Sequence, residues 1–342
     1  MKNNEMIKRI LPHLIAVILF TIVSFVYYYP VLEGKILKAN DSMVSRFSSK
    51  EILDYRASTG KEALWTNSMF SGMPAYLISV QYPGNLIKKL DTAIRIFKMP
   101  VSVLFVALLG FYVVLLMFKI NPWLALAGSF AYGLSSFFFL ILAAGHNTQA
   151  VALAYMAPMI GGIYYAYRYD AFKGAIFTGF ILSLQLIANH PQITYYGFIC
   201  LLIFGITEFI YVFKEKKIAE FLKTTGILII PFILAIGVNF GNLNTVREYG
   251  KYSIRGKSDL VVNHDDASNG LDRSYITQWS YGIGETMDLF IPNFRGGSSH
   301  PFDRSSGTFK ALRQNGVSAD EISQFRQYWG DQPTTEGPHY IG

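Results

Sequence analysis

Seven long apolar stretches constrain how this chain can fold more than any other feature. Each is close to the about 20 residues with which an α-helix crosses about 30 Å of hydrocarbon. A composition of 51% hydrophobic and 15% charged residues is also atypical of a soluble domain. The sequence therefore predicts an all-α polytopic membrane protein with about seven transmembrane helices. The stretches lie at residues 10–32, 100–118, 123–144, 151–167, 172–188, 193–213 and 224–238.

Basic residues in the short loops predict the orientation of these helices, because Lys and Arg in such loops stay on the cytoplasmic side. They precede the first stretch and then occupy alternate short loops: Lys2, Lys8, Arg9, Lys119, Arg168, Lys173, Lys214, Lys216, Lys217 and Lys223. We expect a cytoplasmic N-terminus, a transmembrane domain at 1–243 with a first outer loop at 33–99, and an outer C-terminal segment at 244–342. Basic residues at 88–98 conflict with this orientation, but the loop that holds them is longer than those the rule covers.

The rest of the composition excludes several classes of function. The net charge of +7 lies largely in cytoplasmic loops, where it suits anionic lipid headgroups, and no nucleic-acid motif accompanies it. The single Cys200 leaves neither a disulfide nor a thiolate metal site within the chain. Walker, Rossmann, zincin and nucleophile-elbow motifs are absent. His264, Asp265 and Asp266 offer ligands for a divalent cation without a recognised spacing, so we expect no metal and no other cofactor.

Four polar clusters fall on the predicted outer side of the membrane, at residues 40–41, 145–149, 189–192 and 239–247. Loops from several helices can converge at one mouth, so a shared site is geometrically feasible. Asp41 is either a cap for the short helix predicted at 48–55 or a general base or cation ligand at the membrane interface. His146 and His190 either bond free carbonyls at helix ends or take a catalytic or phosphate-binding role.

The first outer loop contains an aromatic segment and an amphipathic segment. Residues 65–76, with Trp65 at their start, combine aromatic rings with small polar side chains. They suit either a headgroup-depth segment or a sugar site with a stacking face and amide donors. Residues 86–97 have apolar side chains at helical spacing and predict a helix along the outer bilayer surface, with cations that suit a lipid phosphate or any other anionic headgroup.

The C-terminal segment carries a second group of acidic residues and no closing element. Glu285 and Asp288 lie three residues apart in a glycine-rich stretch at 281–297. They would share a helical face, either as paired carboxylates or as acidic residues of a solvated helix start. The polar tail that ends at Gly342 is either the true end of an outer domain or, as we expect, part of a longer protein whose eighth span would begin there.

These motifs resemble those of the YfhO-type bacterial membrane proteins. The resemblance is carried by Asp41, by residues 65–76 and 121–133, by His146-Asn147 and residues 189–192, and by Gly284-Glu285 to Pro292-Asn293. That family is similar to the GT-C superfamily of glycosyltransferases, which transfer a sugar from a polyprenyl-phosphate carrier outside the cytoplasmic membrane. The resemblance implies a GT-C-like helix arrangement, a bacterial inner-membrane location and an envelope polymer or lipid as acceptor.

The resemblance also assigns roles to single residues. Asp41 matches the acidic residue of the first outer loop and is the expected catalytic base; its neighbour Asn40, in place of a second acid, favours a metal-independent mechanism. A polyprenyl phosphate is a competent leaving group, so positioning, proton removal and phosphate stabilisation suffice for inverting transfer. The expected substrate-binding residues are His146, Asn147, His190, Gln192, Arg247, Trp65 and Glu285.

Two other functions remain open from the sequence. Outer-mouth histidines and helices interrupted by proline also suit a lipid or sugar transporter or flippase. Ionisable residues at midspan would favour that reading, and the spans hold almost none after His13. The third reading is a noncatalytic membrane protein of envelope assembly.

Overall fold

The computed structural model describes residues 2–253 and 273–340 and is mostly helical. The chain divides into two compact units, residues 1–134 with 145–246 and residues 135–144 with 247–342. Within the described residues, β-structure is limited to two antiparallel pairs, Trp65–Thr66 (β1) with Met73–Pro74 (β2) and Gly296–Pro301 (β3) with Arg326–Tyr328 (β4).

The helices follow the apolar stretches closely. In chain order they are α1 Lys2–Tyr27, α2 Asn40–Thr59, α3 Leu86–Ile94, α4 Val101–Met117, α5 Pro122–Gly133, α6 Ser136–Ala144, α7 Asn147–Arg168, α8 Ala171–Ile187, α9 Pro191–Lys214, α10 Ile218–Gly250, α11 Arg273–Thr277, α12 Gly307–Gln314 and α13 Ala319–Ile322. Short 3₁₀ helices occur at Tyr29–Val31, Ala75–Leu77 and Ile283–Leu289.

Four helices of the described chain, α1, α7, α9 and α10, are long and apolar enough to cross a membrane, and α5 with α6 makes a fifth span if the pair counts as one. The sequence predicted seven spans, and the difference lies in α4 and α8. Each is apolar but only 17 residues long, which at 1.5 Å per residue is about 26 Å against about 30 Å of hydrocarbon.

Helix α7 lies at the centre of the first unit, packed against α4 and α8. Small residues allow the close approach of α7 and α8. A Cβ on Gly162 would stand 2.5 Å from Thr178 Oγ1, and one on Gly174 would stand 2.5 Å from the backbone nitrogen of Ala166. Such contacts bring helix backbones together where side-chain packing, rather than water exclusion, holds membrane helices. By contrast, most of the apolar side chains of α9 and α10 are exposed.

Helix α3 contacts α7 through a buried carboxylate that also pairs with Arg95 at the end of α3. Asp91 is 1% exposed and accepts hydrogen bonds from both Nε and Nη2 of Arg95, the first at 2.8 Å. Tyr155 of α7 donates to the same carboxylate at 3.1 Å. A helix is present in the segment 86–97, but it ends at Ile94. Arg95 is engaged by Asp91, so the expectation that this cation meets lipid phosphate is corrected.

The hairpin β1–β2 is fixed to α2 by one carboxylate. Glu51 of α2 accepts hydrogen bonds from the Thr66 hydroxyl and from the backbone nitrogens of Asn67 and Ser68, the latter two at 3.0 and 3.2 Å. The bond from Thr66 comes first among the causes that hold the pKa of the Glu51 carboxyl below its usual range. The turn places Gly72 at φ +119°, where a Cβ would stand 2.8 Å from the indole nitrogen of Trp65.

Candidate functional site

Asp41 lies in the first turn of α2. The helix is longer than the sequence predicted and begins at Asn40, after Ala39 at the N-cap in extended conformation and without a side-chain cap. Asp41 is therefore not the N-cap of a helix at 48–55. A carboxylate in the first turn lies near the positive end of the helix dipole. Its side chain is 60% exposed and so accessible to a ligand.

The turn before α7 brings an imidazole to this carboxylate. Gly145 has φ +91°, and a Cβ there would stand 2.9 Å from the backbone nitrogen of Ser42, so only glycine permits the approach. His146 Nε2 then lies 3.1 Å from Asp41 Oδ2, and Asn147 Nδ2 donates to Ser42 Oγ at 3.0 Å. An exposed polar contact of this kind contributes little stability, so the fold alone gives little reason for it.

The start of α9 joins the same group. Thr148 Oγ1, in the first turn of α7, is 3.2 Å from His190 Nδ1. Gln192 donates to the Tyr196 hydroxyl of its own helix at 2.9 Å. His146 and His190 are both N-cap positions without a side-chain cap bond.

Three helix N-termini, those of α2, α7 and α9, thus meet through side-chain contacts at one end of the first unit. Backbone N–H groups and helix dipoles make each of them locally positive. The cluster combines this field with two imidazoles, an amide and one carboxylate. We name Asp41, His146, Asn147, Thr148 and His190 the N-terminal cluster.

Trp65 lies away from the N-terminal cluster. Its strand is anchored to α2 at Glu51, ten residues beyond Asp41, which corresponds to about 15 Å along the helix. The indole is more than half exposed. Its ring is therefore available for contact with a ligand or with lipid.

The other two predicted substrate-binding residues belong to the second unit. Arg247 is exposed in the last turn of α10. Glu285 is buried and accepts hydrogen bonds from the backbone nitrogens of Gly282 at 2.7 Å and Asp331 at 3.1 Å, and from the Tyr328 hydroxyl. Both of its oxygens are thus engaged within the unit.

The surroundings of Glu285 set its charge. Burial alone would raise the pKa of the carboxyl, but the hydrogen bonds that it accepts outweigh burial and hold the pKa below its usual range. Desolvation and the neighbouring carboxylate raise the pKa of Tyr328 to about 12, so its phenol remains a donor at neutral pH. Asp288, also buried, accepts from the backbone nitrogen of Arg295 at 3.0 Å.

Some features of the site escaped the sequence interpretation. Ser42 and Thr148 connect the helices of the N-terminal cluster, and their only sequence signal is their position beside Asp41 and His146. Among the described residues no group of three or more His, Cys, Asp or Glu could hold a metal ion. His264, Asp265 and Asp266 lie outside the described residues.

Comparison with known proteins gives no family for the chain. It matches no protein-family model, no curated protein and no solved structure.

Proposed function

We propose that this protein is a membrane glycosyltransferase of YfhO type, which transfers a sugar from a polyprenyl-phosphate carrier to an envelope polymer or lipid acceptor. Its place would be the outer side of the bacterial inner membrane, with the N-terminus in the cytoplasm and a GT-C-like arrangement of helices. The observation that carries the proposal is the contact of Asp41 with His146 at 3.1 Å.

The proposed reaction is an inverting displacement. An acceptor hydroxyl attacks the anomeric carbon, the new C–O bond forms as the bond to the phosphate oxygen breaks, and the electron pair leaves with the phosphate. Asp41 takes the hydroxyl proton. His146 holds the carboxylate in one orientation, as a base and its partner must be for proton transfer. The reaction needs no redox partner, and the neighbouring Asn40 gives no second carboxylate for a metal.

The departing phosphate would be stabilised by the positive ends of α7 and α9. Helix N-termini bind phosphate through free backbone N–H groups and the helix dipole. His190 and Asn147 add side-chain donors at these two N-termini. Exposure of Asp41 and His146 leaves room for the acceptor.

Asp41→Asn is the decisive variant, and Asp54→Asn is its matched control on the same helix. Asp54 is 65% exposed and pairs only with Lys50 among the described residues. Purified protein in liposomes is given a radiolabelled polyprenyl phosphate hexose and a membrane-lipid acceptor. We expect Asp41→Asn to lower transfer by at least about a hundredfold, the usual contribution of a positioned base, and Asp54→Asn to leave it unchanged. Equal transfer by both variants would remove Asp41 from the chemistry.

A transporter or flippase is the second candidate because one buried acid lies in a candidate span. Glu208 of α9 is 3% exposed and pairs with Arg168 of α7 at 2.6 Å. The sequence interpretation overlooked this residue, and ionisable groups within spans often mark transport pathways. Movement of a fluorescent polyprenyl-phosphate sugar across the same liposomes, lost in Glu208→Gln but kept in Asp41→Asn, would favour transport over transfer.

A further inference from the structure

A cavity of about 510 Å³ opens between the start of α3 and the later part of α10 in the first unit. Its walls come from the turn that leads into α3 on one side and from one stretch of α10 on the other. The lining residues are Tyr82, Gly84, Asn85, Leu86, Ile87, Val238, Asn239, Gly241 and Asn242. The volume lies within the range of small-molecule sites.

The walls contain amide and phenol groups together with aliphatic side chains, and no lining residue carries a charge. Amides both donate and accept hydrogen bonds, and a tyrosine ring offers an apolar face with a polar edge. This combination suits a neutral ligand with several hydroxyl groups and apolar faces. It suits a metal ion poorly, because no carboxylate lines the cavity.

Asn239 is the unusual member of the lining. The side chain is 2% exposed, and its Nδ2 donates to the carbonyls of Ser183 at 3.1 Å and Ala235 at 2.9 Å. Its Oδ1 is buried and has no hydrogen-bond partner among the described residues. A buried acceptor without a donor destabilises the fold, and a ligand hydroxyl would satisfy it.

Two glycines show that the cavity has free space on both walls. A Cβ on Gly84 or on Gly241 would meet nothing within 4 Å. Larger side chains at these positions would therefore enter the cavity without displacing protein atoms.

We infer that this cavity is a binding site for a neutral sugar, with Asn239 accepting a hydrogen bond from a sugar hydroxyl and Asn85, Asn242 and Tyr82 completing the contacts. The site does not depend on transfer chemistry at Asp41, because binding alone defines it. The sugar comes either from solution or from the headgroup of a glycolipid, and both present the same hydroxyl chemistry.

Binding is measured on the full chain in nanodiscs by saturation-transfer NMR with methyl glycosides of hexoses and N-acetylhexosamines. A second arm places glucosyl diacylglycerol in the nanodisc and measures its retention during purification. Gly241→Leu fills the cavity, and Gly84→Leu fills it from the other wall. Gly237→Leu is the control, because Gly237 also lies in α10 with open space around it but does not line the cavity.

We expect at least one arm to show binding that both cavity-filling variants abolish and that Gly237→Leu retains. Asn239→Leu should weaken binding by about tenfold, the loss of one hydrogen bond. Binding in the first arm identifies a soluble sugar, and binding in the second alone identifies a glycolipid. Absence of binding in both arms, or binding that survives Gly241→Leu and Gly84→Leu, overturns the proposal whether or not the protein transfers sugar.

Discussion

Replacing Asp91 by Leu should release α3 from the first unit. The carboxylate is 1% exposed and the Arg95 guanidinium 20%, so the variant leaves a largely buried cation without its partner. Breaking such a pair from one side costs about 3–5 kcal/mol, and the residual exposure of Arg95 places the expected cost near the lower end. A cost of about 3 kcal/mol corresponds to more than a hundredfold increase in the population of undocked α3.

Hydrogen exchange with mass spectrometry localises this effect to peptides that cover residues 86–94. In Asp91→Leu these amides should exchange more than about a hundredfold faster than in the wild type. Asp54→Leu is the control, since its exposed pair with Lys50 contributes about 0–1 kcal/mol. Its exchange in α3 should match the wild type.

A second substitution separates the ion pair from general damage to packing. Asp91→Leu combined with Arg95→Met removes both charges and leaves the Tyr155 hydroxyl without its acceptor, a cost of about 1 kcal/mol. It also leaves the exposed Lys88 without its partner at 3.7 Å, a cost of about 0–1 kcal/mol. The double variant should therefore exchange more slowly than the single one. Equal exchange in the two variants, or unchanged exchange in Asp91→Leu, would refute the view that this pair docks α3.

Three further results follow from local geometry. Acidification should destabilise the second unit through Glu285, because its folded pKa is lowered: its contribution is present above the unfolded value of about 4.3 and is lost as pH falls through the folded pKa. Tryptophan fluorescence against pH should show this step in the wild type and not in Glu285→Gln. Gly145→Ala should lower transfer and thermal stability more than Gly34→Ala. Both glycines have positive φ, but only at Gly145 would a Cβ stand 2.9 Å from a backbone atom. Equal effects of the two substitutions would assign the cost to φ alone. Gly162→Val should lower the thermal unfolding midpoint by several degrees because a side chain there meets α8. Gly226→Val should leave the midpoint unchanged, because a Cβ on Gly226 lies in open space. Circular dichroism in detergent measures both midpoints, and equal midpoints would contradict the close packing.

The hydrophobic pattern predicted where the helices lie, but not how many of them are long and apolar enough to cross a membrane. All seven apolar stretches are helical, because a long apolar run has few other ways to satisfy its backbone in lipid. A helix crosses the hydrocarbon core only if it is long enough, and its capping residues determine where it begins and ends. Helix α8 begins after Asp170, whose side chain accepts from the backbone nitrogens of Phe172 and Lys173, and ends at Ile187, two residues before Asn189 takes a positive φ.

The sequence could not predict which side chains contact each other in the folded protein. The spacing of Asp91 and Arg95 on one helix indicates an ion pair, but only the fold shows that this pair is buried against Tyr155. Similarly, Glu285 looks like a solvated acid at a helix start, and it is buried because Tyr328 and Asp331, more than forty residues away, provide its donors. The polar loops predicted His146 and His190 as candidate site residues. The contacts that connect their helices involve Ser42 and Thr148, which the sequence did not single out.

The cost of the N-terminal cluster to the fold argues that it is selected for something other than stability. Gly145 and Asn189 both hold positive φ values immediately before the two histidines; glycine adopts this conformation without strain, whereas it costs free energy at Asn189. In return the chain gains an exposed contact of Asp41 with His146 and an exposed contact of Thr148 with His190, each worth little to folding. Water or a side-chain cap could satisfy these helix starts with a relaxed backbone. A ligand that uses both the carboxylate and the N–H groups of adjacent helix starts would recover that cost on binding.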